Sequence, residues 1–287
     1  MKKISVTTGL CFCLFFCQSG NAQKTMTSKE LIDNMVNSVA QLKSLTYKLK
    51  KTERVDGVLK TGEQDVKLNI SPRKSYAKIR KPNDGVEVLY AEGQNDNKVL
   101  VRPNAFPYVN LNLSPMSSIM RKGNHHTLHE LGFSYIADVI GSIADKAKAA
   151  DKFEEYFTYG GEVVFDNKPC YKVHIHYVPF AYISYKVKEG ETVTSIATKY
   201  KLSDYMILTL NPTISDYDDV KAGQVITIPN NYAKKTILYL DKETFMPIVQ
   251  SIYDEKGLFE QYEFYNVKVN PVIKDEEFTK TYKDYKF

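Results

Sequence analysis

Apolar residues recur at helical spacing from Leu31 through Ile32, Met35, Val36, Val39 and Leu42 to Leu45, behind a capping box of Thr27 and Glu30. The period then shortens. Runs over 47–54, 64–70, 75–80, 86–90, 98–102 and 108–113 read as strands, parted by turn sequences such as Asp56-Gly57, Ser71-Pro72 and Asn83-Asp84-Gly85. A second helix is predicted from Thr127, which pairs with Glu130 as a capping box; Leu128, Leu131, Tyr135, Ile136, Val139, Ile140 and Ile143 form its apolar face. Strands resume at 153–159, 162–165 and 170–178, the first two joined by a turn at Gly160-Gly161, and again at 235–240, 248–253 and 258–269. Short turn-linked strands form an antiparallel meander with one buried face. The predicted class is α+β, a strongly curved antiparallel sheet wrapped on helices.

Between these last two groups of strands the pattern becomes strand, helix, helix, strand. Tyr185 to Lys188 and Gln224 to Ile228 alternate as strands. Thr192 caps a helix whose buried face is Val193, Ile196, Ala197 and Tyr200, and Ser203 caps a second carrying Met206, Ile207 and Leu210. Asn211-Pro212 ends that helix, because proline disfavours helical geometry in the residue before it. Tyr185, Val187, Gly190-Glu191-Thr192, Ser195-Ile196-Ala197, Tyr200, Leu210-Asn211-Pro212, Gly223-Gln224, Ile226 and Ile228-Pro229 together resemble the lysin-motif (LysM) family. That resemblance implies binding of peptidoglycan or another N-acetylglucosamine glycan in a shallow groove. By position its walls are Gly190, Glu191, Thr192, Val193 and Thr194 on one side, and Asn211, Pro212, Thr213 and Ile214 on the other. Such a site needs neither catalytic group nor cofactor.

The domain plan is a signal segment over 1–22, a host over 23–182 and 231–287, and the small module over 183–230 set into a host hairpin. Module ends that lie close together let such a unit sit in a surface loop at little entropic cost, so it is expected to be removable. The host's Leu240-Asp241, Phe245-Met246-Pro247, Phe264, Asn266-Val267, Val269-Asn270, Asp275 and Phe278 resemble the LolA and LolB lipoprotein-carrier superfamily. Gly123, His125-His126-Thr127 and Gly132-Phe133 resemble, more narrowly, a family of uncharacterised exported bacterial proteins within it. The resemblance implies a cavity between sheet and helices that holds lipid or lipoprotein acyl chains. The 21 tyrosines and 14 phenylalanines suit such a cavity and suit a filled sheet core equally.

Address and chemistry complete the picture. Lys2-Lys3, the apolar run 10–17 and the small residues before Ala22 read as a secretory signal cleaved after Ala22. The expected location is periplasmic and wall-associated in a Gram-negative-type envelope. Lipidation at Cys17 is the rival, opposed by bulky Leu14-Phe15-Phe16 before it. Cys170 is then the only cysteine left and is expected as a small strand residue. The formal charge of +5 is too weak to suggest nucleic acid, and no second apolar run is long enough for a membrane helix. His125, His126 and His129 could bind a transition metal, but no Asp or Cys completes a familiar ligand spacing. Hydrogen bonds to the loop leading into the helix are the plainer expectation for these imidazoles. The chain lacks a Gly-x-Ser-x-Gly elbow and a His-Glu-x-x-His motif. A non-enzymatic, wall-tethered carrier is therefore expected, with a metal-dependent hydrolase built on His125, His126 and His129 as the alternative.

Overall fold

The computed structural model describes residues 26–287. The expected signal segment, its cleavage after Ala22 and Cys17 lie outside the described residues. Helix α1 (Ser28–Ala40) starts at the expected box: Thr27 Oγ1 accepts from Glu30 N at 3.2 Å, and Glu30 Oε2 accepts from Thr27 N at 2.8 Å. The helix stops earlier than its apolar period. Leu42 lies beyond it, and Leu45 belongs to the first strand.

Strands β1 (Ser44–Val55) and β2 (Val58–Asn69) form a hairpin on Asp56-Gly57, both at positive φ (53° and 79°), the geometry of a two-residue turn that matches strand twist. Next come β3 (Lys74–Lys81), β4 (Glu87–Ala91), β5 (Val99–Arg102), β6 (Leu111–Leu113) and a helical turn α2 (Ser118–Arg121). The second long helix differs from its sequence pattern. Thr127 and Glu130 do form a capping box, but it opens only a 3-10 turn over Leu128–Glu130. Gly132, at φ +90°, then redirects the chain, and α3 runs over Ser134–Ala149. A side chain at position 132 would meet Leu68 Cδ2 at 2.8 Å, so the chain passes close to the sheet at this bend.

Residues 153–156 form a further helical turn, α4 (Phe153–Tyr156), rather than the start of a strand. Strand β7 (Phe157–Phe165) then runs through Gly160-Gly161, where a β-bulge between Tyr159 and Glu162 replaces the expected turn. After β8 (Lys168–His176) comes the inserted segment with β9 (Tyr182–Lys186), α5 (Val193–Tyr200), α6 (Asp204–Leu210) and β10 (Val225–Pro229). The chain returns through β11 (Lys235–Asp241), β12 (Pro247–Asp254) and β13 (Gly257–Val269).

The large sheet has eleven strands in the order β6-β5-β4-β3-β2-β1-β13-β12-β11-β8-β7, each adjoining pair antiparallel. Laid flat, the seven steps from β3 to β7 would span roughly 34 Å at the usual strand spacing. Yet Ala77 on β3 and Phe157 on β7 share one core with Leu31, Ile32 and Met35 of α1 and Ile140 and Ile143 of α3. Only a strongly curved sheet brings both flanks onto two helices. Ring pairs such as Tyr47 with Phe264 and Phe133 with Phe264, at 5.1 and 4.6 Å, fill the concave side, and Cys170 is a buried strand residue of the same core. Among the described residues no helix is long and apolar enough to cross a membrane.

Candidate functional site

The inserted segment carries its own two-stranded sheet, β9 against β10, with Lys186 opposite Val225 and Tyr182 opposite Pro229. Val187, Val193, Ile196, Ala197, Ile207, Ile214 and Ile226 close a small core of their own. Thr192 Oγ1 caps α5 by accepting from Ser195 N at 3.1 Å, and Ser203 Oγ caps α6 by accepting from Met206 N at 3.2 Å. Tyr200 departs from its expected buried place. Its ring lies outside, edge-on to Tyr185 at 5.6 Å, and stays 38% exposed. The flanking strands β8 and β11 are direct neighbours, with His176 opposite Lys235, so the chain leaves and re-enters at one end of a host strand pair.

The nine residues of the expected groove divide by what their side chains already do. Gly190, Pro212 and Thr213 are exposed at the loop tips. The Glu191 carboxylate accepts from Lys188 N at 2.9 Å and from the Tyr185 hydroxyl at 2.8 Å; Lys188 N–H first, opposed by partial desolvation, holds it below its usual pKa. Thr192 is the cap described above. Val193 and Ile214 are buried in the module core, and Val193 N donates to Tyr217 O at 2.8 Å, which ties the first wall to the chain just beyond the second. Asn211 links α6 to β10: its Nδ2 donates to Ile207 O and Thr227 O at 2.7 Å each, and its Oδ1 accepts from Thr227 N at 2.8 Å. Thr194 faces the host.

That last contact belongs to a docking surface that sequence reasoning did not reveal. Arg121, at the end of α2, is only 6% exposed. Its Nη1 donates to Thr194 Oγ1 at 3.0 Å, its Nη2 pairs with Asp204, and its guanidinium lies over the Tyr217 ring at 3.1 Å. Arg121 thus ties Thr194 of one wall to Asp204 of α6 and to Tyr217. Beside it, the Tyr135 hydroxyl of α3 donates to Leu202 O at 3.2 Å, and Lys201 pairs with Asp138 at 2.5 Å. Helix α6 goes further. Tyr205 and Met206 are part of the host core, with the Tyr205 ring stacked on His125 at 4.3 Å and its hydroxyl accepting from Asp56 N at 3.2 Å. The module is therefore not a separate bead on the surface, because Tyr205 and Met206 share the host interior.

Under α6 lies the histidine cluster, and its partners are strand carboxylates together with Glu130 of the turn that leads into α3. His125 Nδ1 is 2.8 Å from Glu260 Oε2, and its Nε2 is 3.1 Å from Arg54 O. Glu260 also accepts from the Tyr232 hydroxyl at 2.6 Å, while Glu53 accepts from Tyr262 at 2.6 Å and from Lys51 at 2.6 Å. His126 sits between Glu130 and Glu260, 3.4 Å from each. Burial alone would lower the His126 pKa, but Glu260 and Glu130 hold it well above 6.5. Burial likewise opposes ionisation of Glu260 and Glu53, yet His126 and His125 keep the first well below its usual value, and Lys51 and His125 lower the second. His129 turns away, edge-on to Tyr90 at 5.2 Å. Both His125 nitrogens face acceptors, and among the described residues no three His, Cys, Asp or Glu side chains converge as a metal ion requires. The cluster works as a satisfied internal pin joining β1, β13, the 121–130 segment and the return linker at Tyr232.

Two cavities of about 50 and 160 Å³ adjoin this cluster, and Leu49, His126, Leu131 and Tyr262 line both. The polar partners Glu53 and Glu260 were not singled out from sequence. Their only signal was an acid at an inward position of a mostly apolar strand face.

No curated protein sequence matches the chain. Among solved structures it is similar to the Mycobacterium tuberculosis lipoprotein LppX (13% identity, 86% of this chain and 98% of that one, TM-score 0.40). It is also similar to a LolA superfamily protein from Nitrosomonas europaea (12%, 90% and 100%, TM-score 0.34) and to the Pseudomonas aeruginosa MucA/MucB complex (10%, 88% and 60%, TM-score 0.40). The chain spans about three fifths of that last structure's chain. Residues 185–229 match the LysM domain model. Residues 42–189, 148 of the 287, match the family described as "Protein of unknown function (DUF1571)", and the chain belongs to that family, with a LysM domain in the connection between β8 and β11.

Proposed function

We propose that this is an exported, non-enzymatic envelope protein that holds peptidoglycan through its LysM domain and presents that domain on a rigid host. The observation that carries this reading is the match over 185–229 to the LysM model. It is supported by two groove loops already fixed in place, through the Val193 to Tyr217 bond, the Asn211 bonds and the Thr192 cap, with Gly190, Pro212 and Thr213 left free at the tips. A preformed groove spares a ligand the cost of ordering loops. Its contact area is small, so affinity for a short glycan falls in the micromolar to millimolar range, about 4 to 8 kcal/mol. Binding to a wall polymer would keep the protein on the periplasmic face of the envelope.

The host's expected role as an acyl-chain carrier fits less well. Cavities of about 50 and 160 Å³ are below the roughly 300 Å³ at which ligand pockets begin, so a carrier role implies a second, opened state. The histidine hydrolase has no geometric support, since its imidazoles diverge or are already paired. The test is a titration of isotope-labelled residues 23–287 with an N-acetylglucosamine tetramer. The backbone amide signals of Gly190, Glu191 and Thr213 should shift, and Thr213→Arg should abolish those shifts. Unmoved signals at millimolar tetramer would remove the glycan reading.

A further inference from the structure

On the convex face, cross-strand pairing sets Tyr76, Leu89, Leu100 and Asn112 in one row over β3, β4, β5 and β6. The C-terminal tail covers the start of this row: Phe278 is buried with Tyr76 and Leu89, and Tyr285 stacks on Tyr76 at 3.7 Å. Beyond the tail the row stays open as a groove of about 570 Å³, inside the usual range for ligand pockets.

The chemistry of its lining is selective. Four carboxamides, Gln94, Asn95, Asn110 and Asn112, surround a floor that includes Leu89 and Leu100. Thr279 and Thr281 add hydroxyls, Lys98 and Lys280 are its charged groups, and among the described residues no carboxylate lines it. Asn95 Nδ2 donates to Asn112 Oδ1 at 2.9 Å and to Lys98 O at 3.0 Å, which fixes two of the amides. Asn110 Oδ1 is buried and has no partner among the described residues, and such an acceptor calls for one. Among the described residues strand β6 is the sheet edge, so one side of its backbone has no strand partner there.

We propose that this groove is a second saccharide site, separate from the LysM domain and not dependent on that domain's reading. Each carboxamide offers a donor and an acceptor in one plane, which matches the paired hydroxyls and the acetamido group of an N-acetylated sugar. The leucine floor meets the apolar face of a sugar ring. An extended peptide would instead use the β6 edge, but that strand is only three residues long.

The probe is the N-acetylglucosamine tetramer, added to isotope-labelled residues 23–287. Side-chain amide signals of Gln94, Asn95, Asn110 and Asn112 should shift, and they should still shift in the Thr213→Arg variant. A groove variant, Gln94→Leu with Asn112→Leu, should retain the module shifts at Gly190 and Thr213 while its retention on purified sacculi falls roughly tenfold or more. Unmoved side-chain amides in the unaltered chain overturn the proposal. So does undiminished retention of the groove variant, or retention lost once stem peptides are stripped from the glycan, which would assign the groove to peptide. Loss of module shifts with intact side-chain amide shifts would instead count against the LysM reading alone.

Discussion

Arg121 shows how much one side chain holds here, because it pairs with Asp204, bonds Thr194 and covers Tyr217 while almost wholly buried. Removing it leaves Asp204 buried without its cation. Arg121→Ala should therefore cost about 3 to 5 kcal/mol in denaturant unfolding, and a loss under 1 kcal/mol would contradict the docking described. His126 gives a pH signature. Its folded pKa lies above 6.5, so its stabilisation is complete below pH 6.5 and is lost as pH rises through the raised value. Glu260 and Glu53 have lowered values, so theirs is present above pH 4.5 and is lost as pH falls. Melting temperature should peak between these limits, and His126→Asn should flatten the alkaline decline. An alkaline limb identical in the variant would show that His126 does not set it. At this scale sequence gave little warning: Thr127 and Glu130 advertised their pairing, whereas Glu53 reaches Tyr262 209 residues away, Glu260 reaches His125 135 away and Arg121 reaches Asp204 83 away.

Helix α6 is the element on which host and module meet. Its short period was legible in Met206, Ile207 and Leu210, but periodicity cannot say that one face serves two cores. Ile207 packs in the module, while Tyr205 and Met206 pack in the host. Met206→Ala should cost about 2 to 5 kcal/mol and lower the melting of the whole chain in a single transition. Two separate transitions, with only the module affected, would mean that the two units fold independently. Excising 183–230 should yield an aggregating host for the same reason. The misplaced boundaries elsewhere have local causes: Gly132 bends the chain at φ +90° before α3, and Gly160-Gly161 forms a bulge inside β7 because its partner β8 runs unbroken past it.

Across the whole molecule, the meander order was largely readable because turn residues such as Asp56-Gly57 and Asp166-Asn167 separate neighbouring strands. Closure of the core was less so. Strand β1 lies beside β13, more than 200 residues later, and only that pairing brings Glu53 and Glu260 together around Tyr262. The same folding back holds the LysM domain against α3 and the histidine pin, with Gly190, Pro212 and Thr213 exposed. The most direct measurement is co-sedimentation of residues 23–287 with purified peptidoglycan sacculi, beside the Thr213→Arg variant. The account predicts that the unaltered chain is retained and that Thr213→Arg, with an unchanged melting temperature, is retained less. An unaltered chain that stays in the supernatant would contradict it.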